Sequence, residues 1–160
     1  MLYPQLLGDE FDRLPQSLRE FHSAPGGGRA AGTVIVSHRQ GWLARMVGFP
    51  PAGDQIPFEI DVMDRQNGEV WTRRFGDFAI ETVQQLDGDL LLETIGSLQV
   101  HFRVTADPTG MRFESQRTRW HTIPLPVSIR AEVRADDCSW AFSVTVAHVG
   151  CYRGAVKPIA

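Results

Sequence analysis

Residues 97–105 read SLQVHFRVT. In an extended chain successive side chains point to opposite sides. Leu98, Val100, Phe102 and Val104 therefore share one face, and Gln99, His101 and Arg103 share the other. One apolar face and one polar face suit a sheet packed on one side. The same period of two runs through most of the chain from residue 56. Ile56, Phe58, Ile60 and Val62 alternate with Pro57, Glu59 and Asp61, and VWTRRFG, FAIETVQQL, DLLLETI, MRFESQRTRW, SIRAEVR, WAFSVTVAH and CYRGAVKP complete the series. Turn residues separate these runs: Asn67–Gly68, Asp87–Gly88, Gly96, DPTG at 107–110, and Asp136–Asp137–Cys138. TIPLP at 122–126 interrupts them. With the β-branched GTVIVSH of 32–38, this makes about ten short strands at close spacing, as in all-β barrels and sandwiches. Short connections make neighbouring strands antiparallel.

The predicted fold is mainly β (α+β). It is an antiparallel up-and-down meander of about ten strands, forming a calycin-like barrel or strongly curved sheet, with N-terminal helices and a short helix between the first two strands. Phe11, Leu14, Leu18 and Phe21 are spaced by three and four, which gives a helical stripe, and Pro15 suits the first turn of a restarted helix. SAPGGGRAAG at 23–32 reads as a flexible loop. No Lys-Ser/Thr follows its glycines and a strand comes next, so no phosphate loop is read. WLARMVG at 42–48 predicts the short helix, with Trp42, Leu43, Met46 and Val47 on one side and Gly48 as its stop. The 160 residues read as a single domain 1–160, with a helical segment at 1–24 and the β-meander at 32–156.

Sixteen basic and nineteen acidic residues give a net charge of -3. That argues against a nucleic-acid partner, which needs a basic excess or stripe. The start, MLYPQLLGDEFDRL, lacks the cationic stretch and apolar run of a signal peptide. No segment approaches the ~18 apolar residues of a membrane span. Cys138 and Cys151 form no CxxC pair; free thiols in a reducing cytoplasm are the simplest reading, and a disulfide between them is the other. His22, His38, His101, His121 and His148 are scattered without metal-ligand spacing. Neither a metal nor a cofactor is predicted.

Three groups of residues carry candidate chemistry. Trp71, Arg73 and Phe75 share a face, so either an arginine points inward or aromatics are exposed. An inward guanidinium needs an internal carboxylate, an aromatic face or a ligand anion. Arg117 and Arg119 continue the face of Met111 and Phe113, and such forks can clamp a carboxylate or phosphate at a barrel mouth. Tyr152 and Arg153 could join that clamp, although neighbours in a strand cannot both point inward. His101 has the ordinary pKa for proton transfer, and Glu93, across the Gly96 turn, is its candidate partner. The plain alternative for that polar row is a solvated sheet face. Glu59 and Asp61 read likewise as carboxylates on a wet face.

FHSAPGGGRAAG, GWLARMVGFPPAGDQIPFEI, EVWTRRFGDF, IPLP and the closing CYRG, in this order, resemble a bacterial domain-of-unknown-function family, number 4166. The resemblance covers essentially the whole chain. Members of that family stand alone or are attached to proteins resembling saccharopine dehydrogenase or short-chain reductases. The resemblance implies no activity and transfers no catalytic residue. It does imply that Trp71, Arg73, Phe75 and Gly76 belong to a recurring feature. Such chains often close with tryptophan after YRG, where this one has Ala155.

The leading expectation is a non-enzymatic module binding a small, largely apolar ligand with an anionic end. Trp71 and Phe75 would supply walls, and Arg73, Arg117, Arg119 or Tyr152 would meet the charge. Its partner is then a small apolar or amphiphilic molecule. The alternatives are a surface interaction or accessory domain with a filled core, and an enzyme using His101 with a carboxylate.

Overall fold

Three successive hairpins use the same turn. β3 (Gly68–Phe75), β4 (Phe78–Asp87), β5 (Leu90–Ile95) and β6 (Leu98–Asp107) are joined by Gly76–Asp77, Gly88–Asp89 and Gly96–Ser97. The glycines have φ of 58°, 63° and 56°, and the residues after them stay out of the left-handed region. Glycine first and an ordinary residue second is the type II′ solution, whose twist matches that of paired strands. The turn read at Asp87–Gly88 thus sits one residue later. The structure, a computed structural model, describes residues 1–39, 44–45, 47–136 and 138–159.

Eleven strands are present among the described residues. β1 (Arg29–His38) and β2 (Gly53–Arg65) precede the hairpins; β7 (Gly110–Trp120), β8 (Ile123–Pro124), β9 (Ile129–Ala135), β10 (Trp140–Val146) and β11 (Gly150–Pro158) follow. β1 pairs with β11 and β6 with β7, so the meander closes into a ring. β8 pairs only with the end of β7 and stays outside the ring, which leaves ten strands in the barrel. All pairings are antiparallel. Closure removes the exposed edges that a long antiparallel sheet would otherwise present.

Ten strands enclose more space than the eight whose own side chains can fill a barrel. Part of the excess is taken by the N-terminal segment. It consists of α1 (Leu2–Leu7), a 3₁₀ helix (Gly8–Arg13) and α2 (Gln16–Ser23), so the predicted stripe spans the 3₁₀ helix and the α-helix that restarts after Pro15. Phe11 lies in the 3₁₀ helix, Leu14 in the extended link, and Leu18 and Phe21 in α2; all four are buried. Among the described residues four bonds fix this plug to the barrel: the Trp140 indole N–H donates to Ser17 Oγ at 3.1 Å, the Tyr3 hydroxyl to Gln84 Oε1 at 2.9 Å, the Leu2 N–H to Glu69 Oε1 at 3.2 Å, and the Ala106 N–H to Glu10 Oε2 at 3.2 Å.

The glycine run expected to be a flexible loop is instead seated along β2. The Val62 N–H donates to the Gly28 carbonyl at 2.9 Å, and a Cβ on Gly27, at φ 115°, would lie 1.7 Å from the Val62 carbonyl oxygen. The strand also starts earlier than 32, at Arg29. Of the short helix read at 42–48, Trp42, Leu43 and Met46 lie outside the described residues, as does Asp137; Ala44 and Arg45 are helical, and Ala44 is buried. Cys138 and Cys151 are free thiols. No described helix is long and apolar enough to cross a membrane.

Leu18 is almost fully buried in the plug. Leu18→Ala is expected to cost about 2–5 kcal/mol in urea unfolding, because the surrounding barrel cannot collapse into the gap. A loss below about 1 kcal/mol would show that α2 is not part of the core.

Candidate functional site

β3 turns Glu69, Trp71, Arg73 and Phe75 inward, so the face carrying an arginine is the buried one. Antiparallel pairing places Ile80 opposite Arg73 and Thr82 opposite Trp71, and the inward row of β4 continues to Gln84. On β5, Glu93 pairs directly with Gln84, lies diagonally across from Thr82, and faces the same interior. The Arg73 guanidinium meets Glu93 there, with Nη1 2.9 Å from Oε1. The same Nη1 donates to Thr82 Oγ1 at 3.1 Å. Glu93 Oε1 also accepts from Thr82 Oγ1 at 2.7 Å and from Gln84 Nε2 at 3.3 Å. Arg73 stacks over the Trp71 ring at 5.2 Å. The network continues into the plug through the Gln84–Tyr3 bond, and the Trp71 indole donates to Glu69 Oε2 at 3.0 Å.

Electrostatics follow from this packing. Burial alone would raise the Glu93 pKa, but the Arg73 charge and bonds from Thr82, Arg73 and Gln84 outweigh it and hold Glu93 below the ordinary carboxylate value. Burial would lower Arg73, yet Glu93 keeps it above its ordinary value. Tyr152 is pushed up to about 12, chiefly by burial. Burial lowers His22 to about 3, so its imidazole is neutral. Glu69 is raised by burial despite its bonds to Trp71 and the Leu2 N–H.

Beside the ion pair lies a cavity of about 170 Å³. Its walls are mostly apolar, among them Phe58, Ile80, Val100, Phe113 and Phe142; Tyr3 and His22 bound it on the side of the plug, and Phe49 and Leu125 also contribute. Trp71, Arg73, Glu93 and Tyr152 line it. Arg73 keeps 17% of its side-chain surface accessible although it lies deep in the barrel, which identifies that surface as cavity wall. Neither ring nitrogen of His22 has a hydrogen-bond partner among the described residues.

The candidates separate accordingly. Trp71, Arg73 and Tyr152 converge on the cavity, while Phe75 is buried against Tyr152, with ring centroids 5.2 Å apart. Arg117 is exposed and Arg119 half-buried, and neither is on the cavity wall. A β-bulge is the cause. His101 pairs with Arg117 but Phe102 pairs with Ser115, so Gln116 is extra and the inward row passes from Met111 and Phe113 to Thr118. Arg153 points outward, opposite to Tyr152. His101 does not meet Glu93: it is buried on the outer side of β6, with Nε2 2.9 Å from Asp87 Oδ2, while Glu93 faces inward. Gln99 is half-buried and Arg103 exposed, so the polar row is only partly wet. Glu59 is exposed, 3.7 Å from Arg74.

Tyr3, His22, Glu69, Thr82 and Gln84 were not singled out in the sequence. A signal existed for four of them. Thr82 and Gln84 continue the face of Phe78 and Ile80, and Glu69 continues that of Trp71. His22 lies one helical turn beyond Leu18 in the plug, whereas Tyr3 has no comparable marker.

Neutral His22 links stability to pH. Unfolded, it takes up a proton below about pH 6.5; folded, only near pH 3. Its contribution is complete above pH 6.5 and declines as pH falls toward 3. Between pH 7 and pH 5 the wild type should lose ~2 kcal/mol through this residue, and His22→Phe should lose that much less in paired urea titrations. Equal losses in the two proteins would contradict this assignment.

No curated protein and no solved structure matches the chain. A family model described as "Domain of unknown function (DUF4166)" matches residues 14–151, which include most of the barrel, α2 and the Arg73–Glu93 pair. The chain belongs to that DUF4166 family.

Proposed function

We propose that this chain is a non-enzymatic binding module that holds a compact, largely apolar molecule inside the barrel, with the molecule's polar end at Arg73. The observation that carries this reading is the accessible guanidinium surface in a mostly apolar cavity. A buried ion pair with an unused edge is costly unless water or a ligand meets that edge. Engineered cavities of about 150 Å³ bind benzene. On that scale, 170 Å³ suits a ring or short chain of roughly six to ten heavy atoms. The anionic end expected from an isolated arginine is not needed for charge balance, because Glu93 already supplies the opposite charge.

The enzyme reading is weaker, since His101 is not on the cavity wall and its carboxylate, Asp87, is itself exposed. The interaction reading draws on one specific feature. Trp120 and Ile123, 45% and 55% exposed, face each other at the β7–β8 hairpin. Two residues make a much smaller patch than the several hundred Å² typical of docking surfaces.

Indole is a suitable test ligand by size. In heteronuclear NMR it should shift amides around Trp71, Arg73 and Tyr152. Ala131 lines the cavity, and Ala131→Met should fill it. That variant is expected to fold with a loss under ~2 kcal/mol and to weaken indole binding at least tenfold. Shifts confined to the outer surface, or equal binding by the variant, would defeat the proposal.

A further inference from the structure

We infer that the cavity selects a charge-neutral head group carrying a hydrogen-bond donor and acceptor side by side, as in a carboxamide or lactam, over a carboxylate. This deepens the binding reading and rests on it. Glu93 uses one oxygen, Oε1, for Arg73, Thr82 and Gln84. Its Oε2 has no hydrogen-bond partner among the described residues. Arg73 engages through Nη1, and its Nε and Nη2 have none either. The Tyr152 hydroxyl is likewise unpartnered there. Among the described residues, the side-chain polar atoms that are both fully buried and unpaired lie elsewhere: Arg19 Nε, His101 Nδ1 and Arg119 Nε. The free atoms of Arg73, Glu93 and Tyr152 therefore open onto the cavity that these residues line.

The result is an acceptor and donors set beside each other by the 2.9 Å ion pair. An amide edge offers the complementary pair, C=O to the guanidinium and N–H to the free carboxylate oxygen. A carboxylate has no donor for Glu93 Oε2 and would face it at close range. Charge counting agrees. Arg73 and Glu93 cancel; Tyr3, Tyr152 and His22 are neutral; Glu132, although it borders the cavity, is engaged by Arg134 at 2.8 Å. The remaining carboxyl near the site, Glu69, is already bonded to Trp71 and to the Leu2 N–H. No unmatched positive charge remains for an anion. Trp71 supplies an aromatic wall for a ring beside this head group.

Four probes of one shape test this: toluene, benzamide, benzoate and benzamidinium, titrated at pH 7 by NMR. Benzamide should bind at least tenfold more tightly than each of the others. Glu93→Gln leaves the Arg73 charge unmatched, so benzoate should bind that variant at least tenfold more tightly than it binds the wild type. If toluene or benzoate equals benzamide in the wild type, the head-group inference is overturned and the binding reading stands. If none of the four binds, toluene included, the binding reading itself is overturned. Should Glu93→Gln fail to fold, the wild-type ranking decides alone.

Discussion

A guanidinium and a carboxylate 2.9 Å apart inside an apolar barrel impose conditions on everything around them. Removing both from water is expensive, and their attraction offsets it only when further hydrogen bonds complete the geometry. β4 supplies those bonds through Thr82 and Gln84, and the plug reaches them through Tyr3. The pair also fixes register. A slip of one residue in β3 or β5 would turn Arg73 or Glu93 to the outside and carry every apolar neighbour with it. Three consecutive type II′ turns hold those strands in the required alignment.

The same pair accounts for the hollow. Ten strands leave more room than their side chains fill, and the N-terminal helices occupy only part of it. Next to the ion pair the remaining space cannot be lined by apolar groups alone without stranding the free edges of Arg73 and Glu93. The cavity and the polar cluster are thus one feature seen from two sides. The family, defined without an assigned function, gains from this a physical question to ask of its members: what meets the open side of the pair.

Much of the fold was legible because the two-residue period is strong. Leu98, Val100 and Phe102 are buried as their alternation requires, and the inward Arg73 follows from its place between Trp71 and Phe75. The partner of Arg73 was harder to find. Glu93 was visible, but its position across a turn from His101 suggested the wrong neighbour, since ladder pairing sets Glu93 against Val100 and turns the two side chains to opposite faces. Arg117 and Arg119 were misplaced for a different reason: an extra residue at Gln116 leaves no composition signal yet inverts every later side chain. The glycine run looked loose because glycine is permissive, whereas here it serves a close approach to β2. The plug was recognised as helical, but its seat inside the barrel is a long-range packing choice that local spacing does not encode.

The central claim is that Arg73 and Glu93 act as one unit inside the barrel, and a double-mutant cycle on stability tests it directly. Arg73→Met and Glu93→Leu should each destabilise by about 3–5 kcal/mol, since each strands a buried charge. The double variant should lose far less than the sum, with a coupling energy above about 2 kcal/mol. Losses that add within about 0.5 kcal/mol would contradict the account, because the two charges would then be independent.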